Sequence, residues 1–425
     1  MNALESTATH TAASADRPSS AASQIALGAW AVIGASVVAH LCIAPLRRLT
    51  FDEAYYACSA HLGIPWPIPQ HPPLLGVLLR VSTHWTSLPI ELRVRLVPIA
   101  LSALTSLGVA RLAALIAPSH LRERSFLAGA VLASWALMPF AGGVQATPDA
   151  PLLASLVWLL CVATAFVQRR LTHQVAVPAI ALLSACALGS KMSALPCLAA
   201  IALALFLRRA RSGAAAVVLG AAAALPYGIK SLLGQGAHAL GRGPWVTTSH
   251  VGVGGSLAIV SVAVFVVFGP AALVIGARSR EALGKIPGGA GSAALITMAL
   301  VVSALSSGRP PEVHWFAPAS LPLYAAAAPA FADMASRVHA RVIASHVLPT
   351  LAGLVVWCVP NAAVDRGSDF FVTAPHVATS PVDADLEWAT AATRVRTVPR
   401  YGMSSWRCLY TQRCDDLDRV VGGKE

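Results

Sequence analysis

About eleven apolar runs, each close to the length of a bilayer-crossing helix and separated by short polar connections, restrict this chain to one class of structure. In hydrocarbon every backbone N–H and C=O must find a partner within the protein, and unbroken apolar runs are the helical solution to that constraint. The runs centre on 26–46, 94–117, 126–144, 150–167, 175–189, 193–207, 213–232, 257–277, 292–306, 317–334 and 342–360. The expected fold is an all-α polytopic membrane protein. The halves 175–189 and 193–207 are each short for a span, so that pair is expected as two short helices or a re-entrant pair turning near Gly189, Ser190 and Lys191.

Charge supports the same reading. Only 12% of the 425 residues are charged and 56% are hydrophobic, a balance that a water-soluble core cannot hide. The net charge of +12 is not gathered into a basic domain with interleaved aromatics, which argues against a nucleic-acid partner. Instead Arg122 and Arg124, Arg169 and Arg170, Arg208, Arg209 and Arg211, Arg278, Arg280 and Lys285, and Arg337 and Arg341 fall in alternate connections. That alternation marks the cytoplasmic side.

Residues 1–24 are rich in Ala, Ser and Thr and are expected to form a disordered cytoplasmic leader before an uncleaved first helix. Residues 25–360 make the membrane domain, and residues 361–425 form a small, nearly neutral extracytoplasmic tail. Cys42, Cys161, Cys186, Cys197 and Cys358 lie in apolar runs and behave as small apolar residues. Cys408 and Cys414 sit in the tail, where either a disulfide or two thiols is compatible with the sequence.

Residues with chemical potential gather in the outer connections. The long first outer loop, 47–93, carries Phe51-Asp52-Glu53-Ala54-Tyr55-Tyr56 and then His71-Pro72-Pro73-Leu74. Two adjacent carboxylates beside a membrane helix are costly to bury and point to use. A carboxylate next to aromatic rings can hold and deprotonate a sugar-like hydroxyl, although Tyr55 and Tyr56 fit interface anchors equally well. Thr147-Pro148-Asp149-Ala150-Pro151-Leu152 puts Asp149 at a helix start, as a site residue, as a cap, or as both. Arg93, Arg95, Lys191, Arg242 and Arg309 are the sparse outer cations, suited to a phosphate group or to snorkelling. His314, in Glu312-Val313-His314-Trp315, fits an interface residue as well as a site residue. A divalent ion shared by Asp52, Glu53 and Asp149 stays open, while nothing in the sequence demands one.

The order DEAYY, HPPL, ELRVRL, TPDAPL, GSKMSALP, HWFAPA resembles the polytopic GT-C glycosyltransferases of the protein mannosyltransferase and aminoarabinose transferase type, from about Thr50 to Ala330. The resemblance implies a GT-C-like fold in a bacterial inner membrane with the active face extracytoplasmic. It implies an inverting transfer of a sugar from a polyprenyl phosphate carrier to a protein, lipid A or other envelope glycan. Carried over by motif, Asp52 is the expected general base with Glu53 assisting or orienting it, and Asp149 is a second acid. His71, Arg95 and Lys191 are expected near the carrier phosphate, Tyr55 and Tyr56 at the substrate, and His314 at the acceptor pocket.

A transporter or lipid flippase is the alternative from another class, because many apolar helices with few polar groups also describe carriers. No inverted repeat is visible in the sequence, and the acids cluster at one face. An intramembrane aspartyl protease using Asp52 and Asp149 fits less well, since both acids are expected in loops.

Overall fold

The computed structural model describes residues 20–46, 53, 56, 57, 60, 72–83, 87–242, 254, 255, 258, 261, 279–307, 317–334 and 336–358. Apart from residues 258 and 261 the run at 257–277 lies outside the described residues, and with it the count of eleven, as do the tail 361–425 and Cys408 and Cys414.

Among the described residues every regular element is helical. They are α1 (Ser20–Ile43), α2 (Leu74–Thr83), α3 (Ile90–Ile116), α4 (Arg122–Ser134), α5 (Leu137–Gly142), α6 (Asp149–Val167), α7 (His173–Ser190), α8 (Ala194–Leu207), α9 (Arg211–Arg242), α10 (Arg280–Lys285), α11 (Gly289–Ser307), α12 (Ala317–Ala332) and α13 (Ser336–Cys358). A 3-10 turn, Ala44–Leu46, follows α1. Five of the helices, namely α1, α3, α6, α7 and α9, are long and apolar enough to cross a membrane. The architecture is that of an all-α polytopic membrane protein.

Three details differ from the sequence reading. α1 begins at Ser20, inside the stretch read as leader. The run 126–144 is not one span but α4 and α5, interrupted at Trp135 and Ala136. Pro139 supplies the reason, because it has no N–H for the Trp135 carbonyl and its ring crowds that carbonyl. The first outer loop contains α2, started after Pro72 and Pro73, where proline costs nothing because the first helical N–H groups have no partner anyway. The pair at 175–207 forms two helices, as expected: α7, about 27 Å long, and α8, about 21 Å, joined at Lys191, Met192 and Ser193.

α3 is the hub, packing against α1, α2, α4, α6 and α12. α7 packs between α6 and α9, and α8 joins α9 to α11. α12 is apolar all round and correspondingly buried, its segment Ala325–Ala328 having almost no exposure. Small residues dominate this core because lipid tails are as apolar as leucine, so association depends on close packing.

Gly220 of α9 shows how close that packing is. A Cβ built there would fall on the carbonyl of Ala181 in α7, which is backbone and cannot step aside. Gly220→Ala is expected to cost about 1–3 kcal/mol in the detergent-solubilised chain. Gly34→Ala, where a Cβ would meet nothing within 4 Å, is the control and should unfold like the parent.

The two ends of the bundle differ. At one end the Gln168 amide donates to the Leu115 carbonyl at 3.0 Å, the Phe166 and His173 rings meet edge-on at 4.9 Å, and Ser212 pairs with His173 at 3.1 Å. The Arg208 guanidinium donates to the carbonyls of Gly284 and Lys285. The basic connections 122–124, 169–170, 208–211 and 280–285 therefore gather there. α6 and α8 both stop at this end on an arginine with positive φ, Arg169 at 57° and Arg209 at 61°. The following N–H reaches back across the turn, Arg170 to Ala165 and Ala210 to Leu205, so each helix ends in a tight left-handed cap with a cation at its negative pole.

Candidate functional site

Two buried ion pairs form at the opposite end. Where α1 gives way to its 3-10 turn and α3 begins, Glu53 and Arg95 face each other. Arg95 Nε donates to Glu53 Oε1 at 2.9 Å and Nη2 to Oε2 at 2.7 Å, while Nη1 donates to the Ala44 carbonyl. Both side chains are fully buried. The Ala146 N–H adds a bond to Glu53 Oε1 at 3.2 Å. One carboxylate thus ties together the first outer loop, α3 and the loop before α6. Desolvating two charges is offset only when further bonds accompany the pair, and here every guanidinium nitrogen and both carboxylate oxygens have a partner.

The second pair lies between Asp149, in the first turn of α6, and Lys191, directly after α7. Lys191 Nζ donates to Oδ1 at 2.9 Å and Oδ2 at 3.0 Å, with each side chain about one-tenth exposed. Both carboxylate oxygens of Asp149 accept from the lysine ammonium. Lys191 can face it because the backbone there is extended, with φ −159° and ψ 139°, which ends α7 and turns the chain. Met192 then lies against Gly228 of α9, where no side chain intervenes.

The two pairs are neighbours along the chain. Ala146 and Asp149 are three residues apart, a reach of at most about 11 Å even when fully extended. The Thr147 N–H bonds to Gln145 and the Ala150 N–H to Thr147, so the loop is folded on itself and the separation is shorter.

Of the residues expected from sequence, the structure brings together Glu53 with Arg95 and Asp149 with Lys191, and buries Tyr56. Asp52, Tyr55, His71 and His314 lie outside the described residues. Arg93 is buried, with Nη1 3.5 Å from the Thr83 carbonyl at the end of α2. Among the described residues no three His, Cys, Asp or Glu side chains converge as metal ligands. Sequence reasoning could not supply the Ala44 carbonyl or the Ala146 N–H, because every residue carries such groups and only the fold aims them. Chemically, the arrangement offers a buried carboxylate held by three N–H donors, and a partly accessible carboxylate–ammonium pair on the same loop. Lys191 spends two of its three N–H donors on Asp149.

No protein-family model matches the chain, and a search of curated proteins finds no match. Among solved structures the fold is similar to that of ArnT from Cupriavidus metallidurans in the apo state. That likeness has a TM-score of 0.56 at 17% identity, covering 92% of this chain and 76% of that one. The crystal structure of the same protein bound to undecaprenyl phosphate is similar with a TM-score of 0.50 at 16% identity, covering 90% of this chain and 72% of that one. The likeness at these identities is one of fold. It agrees with the resemblance to the aminoarabinose transferase type carried by the ordered motifs.

Proposed function

We propose that this chain is an inverting glycosyltransferase that moves a sugar from a polyprenyl phosphate carrier to an acceptor on the extracytoplasmic side of a bacterial inner membrane. The observation that carries the reading is the pairing of Glu53 with Arg95 and Asp149 with Lys191 at the end of the bundle opposite the arginine-rich connections. The fold shared with ArnT, one of whose structures holds undecaprenyl phosphate, supports it. Taking the basic end as cytoplasmic puts the ion pairs at the outer boundary, where a lipid's phosphate rests.

In this reading the acceptor hydroxyl attacks the anomeric carbon from the face opposite phosphate, and the configuration inverts. Asp52 takes the hydroxyl proton as the new glycosidic bond forms. The bond from the anomeric carbon to the phosphate oxygen breaks, and the electron pair leaves with phosphate. Glu53, held by three N–H donors, orients the loop around Asp52, and Arg95 acts chiefly by fixing Glu53. The remaining N–H of Lys191 is directed to the phosphate, with Asp149 holding the ammonium in place. His71 is assigned beside the same phosphate, Tyr55 and Tyr56 at the sugar, and His314 at the acceptor. Protein, lipid A and other envelope glycans are the acceptor classes.

The test is turnover in proteoliposomes loaded with labelled polyprenyl phosphosugar. A covalent glycosylated product together with free polyprenyl phosphate is the expected outcome. Counterflow of an unmodified solute without product would instead make the chain a transporter or flippase. Lys191→Met is expected to raise KM for the donor roughly tenfold, the worth of one charge-assisted hydrogen bond to phosphate.

A further inference from the structure

The interruption between α4 and α5 leaves backbone carbonyls that no helix completes. In hydrocarbon each such group costs several kcal/mol if nothing donates to it. Here the donors come from two helices distant in sequence. Ser36 of α1 donates to the Ser134 carbonyl at 3.3 Å. His346 Nε2 of α13 pairs with the Leu132 carbonyl at 3.0 Å, and Thr350, one turn further along α13, donates to the Trp135 carbonyl at 2.6 Å. That last carbonyl is the one Pro139 cannot serve. Below the break, His40 Nε2 pairs with the Phe140 carbonyl at 2.9 Å. A carbonyl only accepts, so both imidazoles carry their proton on Nε2. Ser36, His40, His346 and Thr350 are all buried.

These bonds do more than satisfy backbone, because the short segment beyond the break leads to the ion pairs. α5 has six residues and runs straight into the loop that presents Ala146 to Glu53 and Asp149 to Lys191. The Gly143 N–H bonds to the carbonyls of Pro139 and Phe140 at 2.9 and 3.1 Å. A Cβ at Gly143 would strike Ser102 of α3 and, at 2.9 Å, the His40 ring, so the start of the loop is wedged between α1 and α3. Little slack separates the break from the ion pairs.

We infer that α13 is a strut for the site: His346 and Thr350, by holding the Leu132 and Trp135 carbonyls, set the direction of α5 and thereby the placement of Ala146 and Asp149. They are positioning residues, acting through the loop on groups more than 190 residues away in sequence. The inference rests on the proposed transfer reaction only for its consequence in turnover; the mechanical coupling stands apart from it.

The experiment is a double-mutant cycle on the full chain in mixed micelles, pairing Thr350→Val with Glu53→Gln and reading equilibrium unfolding. Thr350→Val keeps the side chain's shape and deletes the donor, so its own unfolding constant should rise about tenfold. The two substitutions should be non-additive by about threefold or more, their coupling running through α5 and its loop. Thr350→Ser should restore the parent value. Additivity would overturn the strut, since it would leave Thr350 as a partner for backbone and nothing more. Should Thr350→Val fail to fold, His346→Ala, which removes the other α13 donor from the Leu132 carbonyl, takes its place in the same cycle with the same two outcomes. In proteoliposomes Thr350→Val should lower kcat about tenfold with KM for the donor unchanged, and Thr350→Ser should recover it. If the parent chain transfers no sugar, the transferase reading fails while the cycle still decides the strut.

Discussion

Replacing Arg95 by methionine is expected to cost about 3–5 kcal/mol of stability, the largest loss expected from any single substitution named for this chain. The guanidinium is fully buried and gives Nε and Nη2 to Glu53 and Nη1 to Ala44. Methionine fills much of the volume but takes two charge-assisted N–H donors away from a fully buried carboxylate. The double variant Glu53→Met with Arg95→Met should be less damaging than Arg95→Met alone, because an apolar pair carries no uncompensated charge. It should not return to the parent, since the Ala146 N–H and Ala44 carbonyl then lose their partners. Arg95→Lys should recover only part of the loss, as an ammonium cannot make the two parallel bonds of a guanidinium. Equilibrium unfolding in mixed micelles measures each of these variants. A double variant worse than the sum of its singles would mean the pair is not the unit described.

The second large effect concerns chemistry. Asp52→Asn is expected to lower kcat for sugar transfer about 10²–10⁴-fold per folded molecule, the usual worth of a positioned general base, with KM for the donor little changed. Asparagine retains the shape and a hydrogen-bond acceptor but cannot take the proton from the acceptor hydroxyl. Glu53→Gln offers the contrast, because its carboxylate is enclosed by Arg95 and Ala146 and should matter first to stability. Unimpaired turnover by Asp52→Asn, with folding verified, would assign the base to another residue and leave the transfer reaction itself standing.

The class of fold was legible in the sequence because bilayer thickness imposes a length on apolar runs and leaves almost no other architecture open. The spans at α1, α3, α6, α7 and α9 could be read one segment at a time for that reason. The basic ends of α6 and α8 were equally plain, since a charge beside an apolar run stays at a membrane face wherever the helix goes. Pro139 was visible too, yet its effect was missed. A proline within an apolar run either kinks a helix or breaks it, and which occurs depends on whether other helices can serve the orphaned carbonyls. Thr350 and His346 do so from the far end of the chain.

Residue order alone therefore settled a helical membrane protein and picked out its arginine-rich connections and its sparse acids, because each depends on local composition against a lipid solvent. The three-dimensional arrangement chose Arg95 for Glu53, Lys191 for Asp149, and Ala146 as the link between the two loops. Each partner in the ion pairs stands 42 residues from the other, and nothing in the order of residues ranks one buried cation over another. The choice belongs to helix packing, which brings one guanidinium and one ammonium within bonding distance of carboxylates that cannot remain charged and alone.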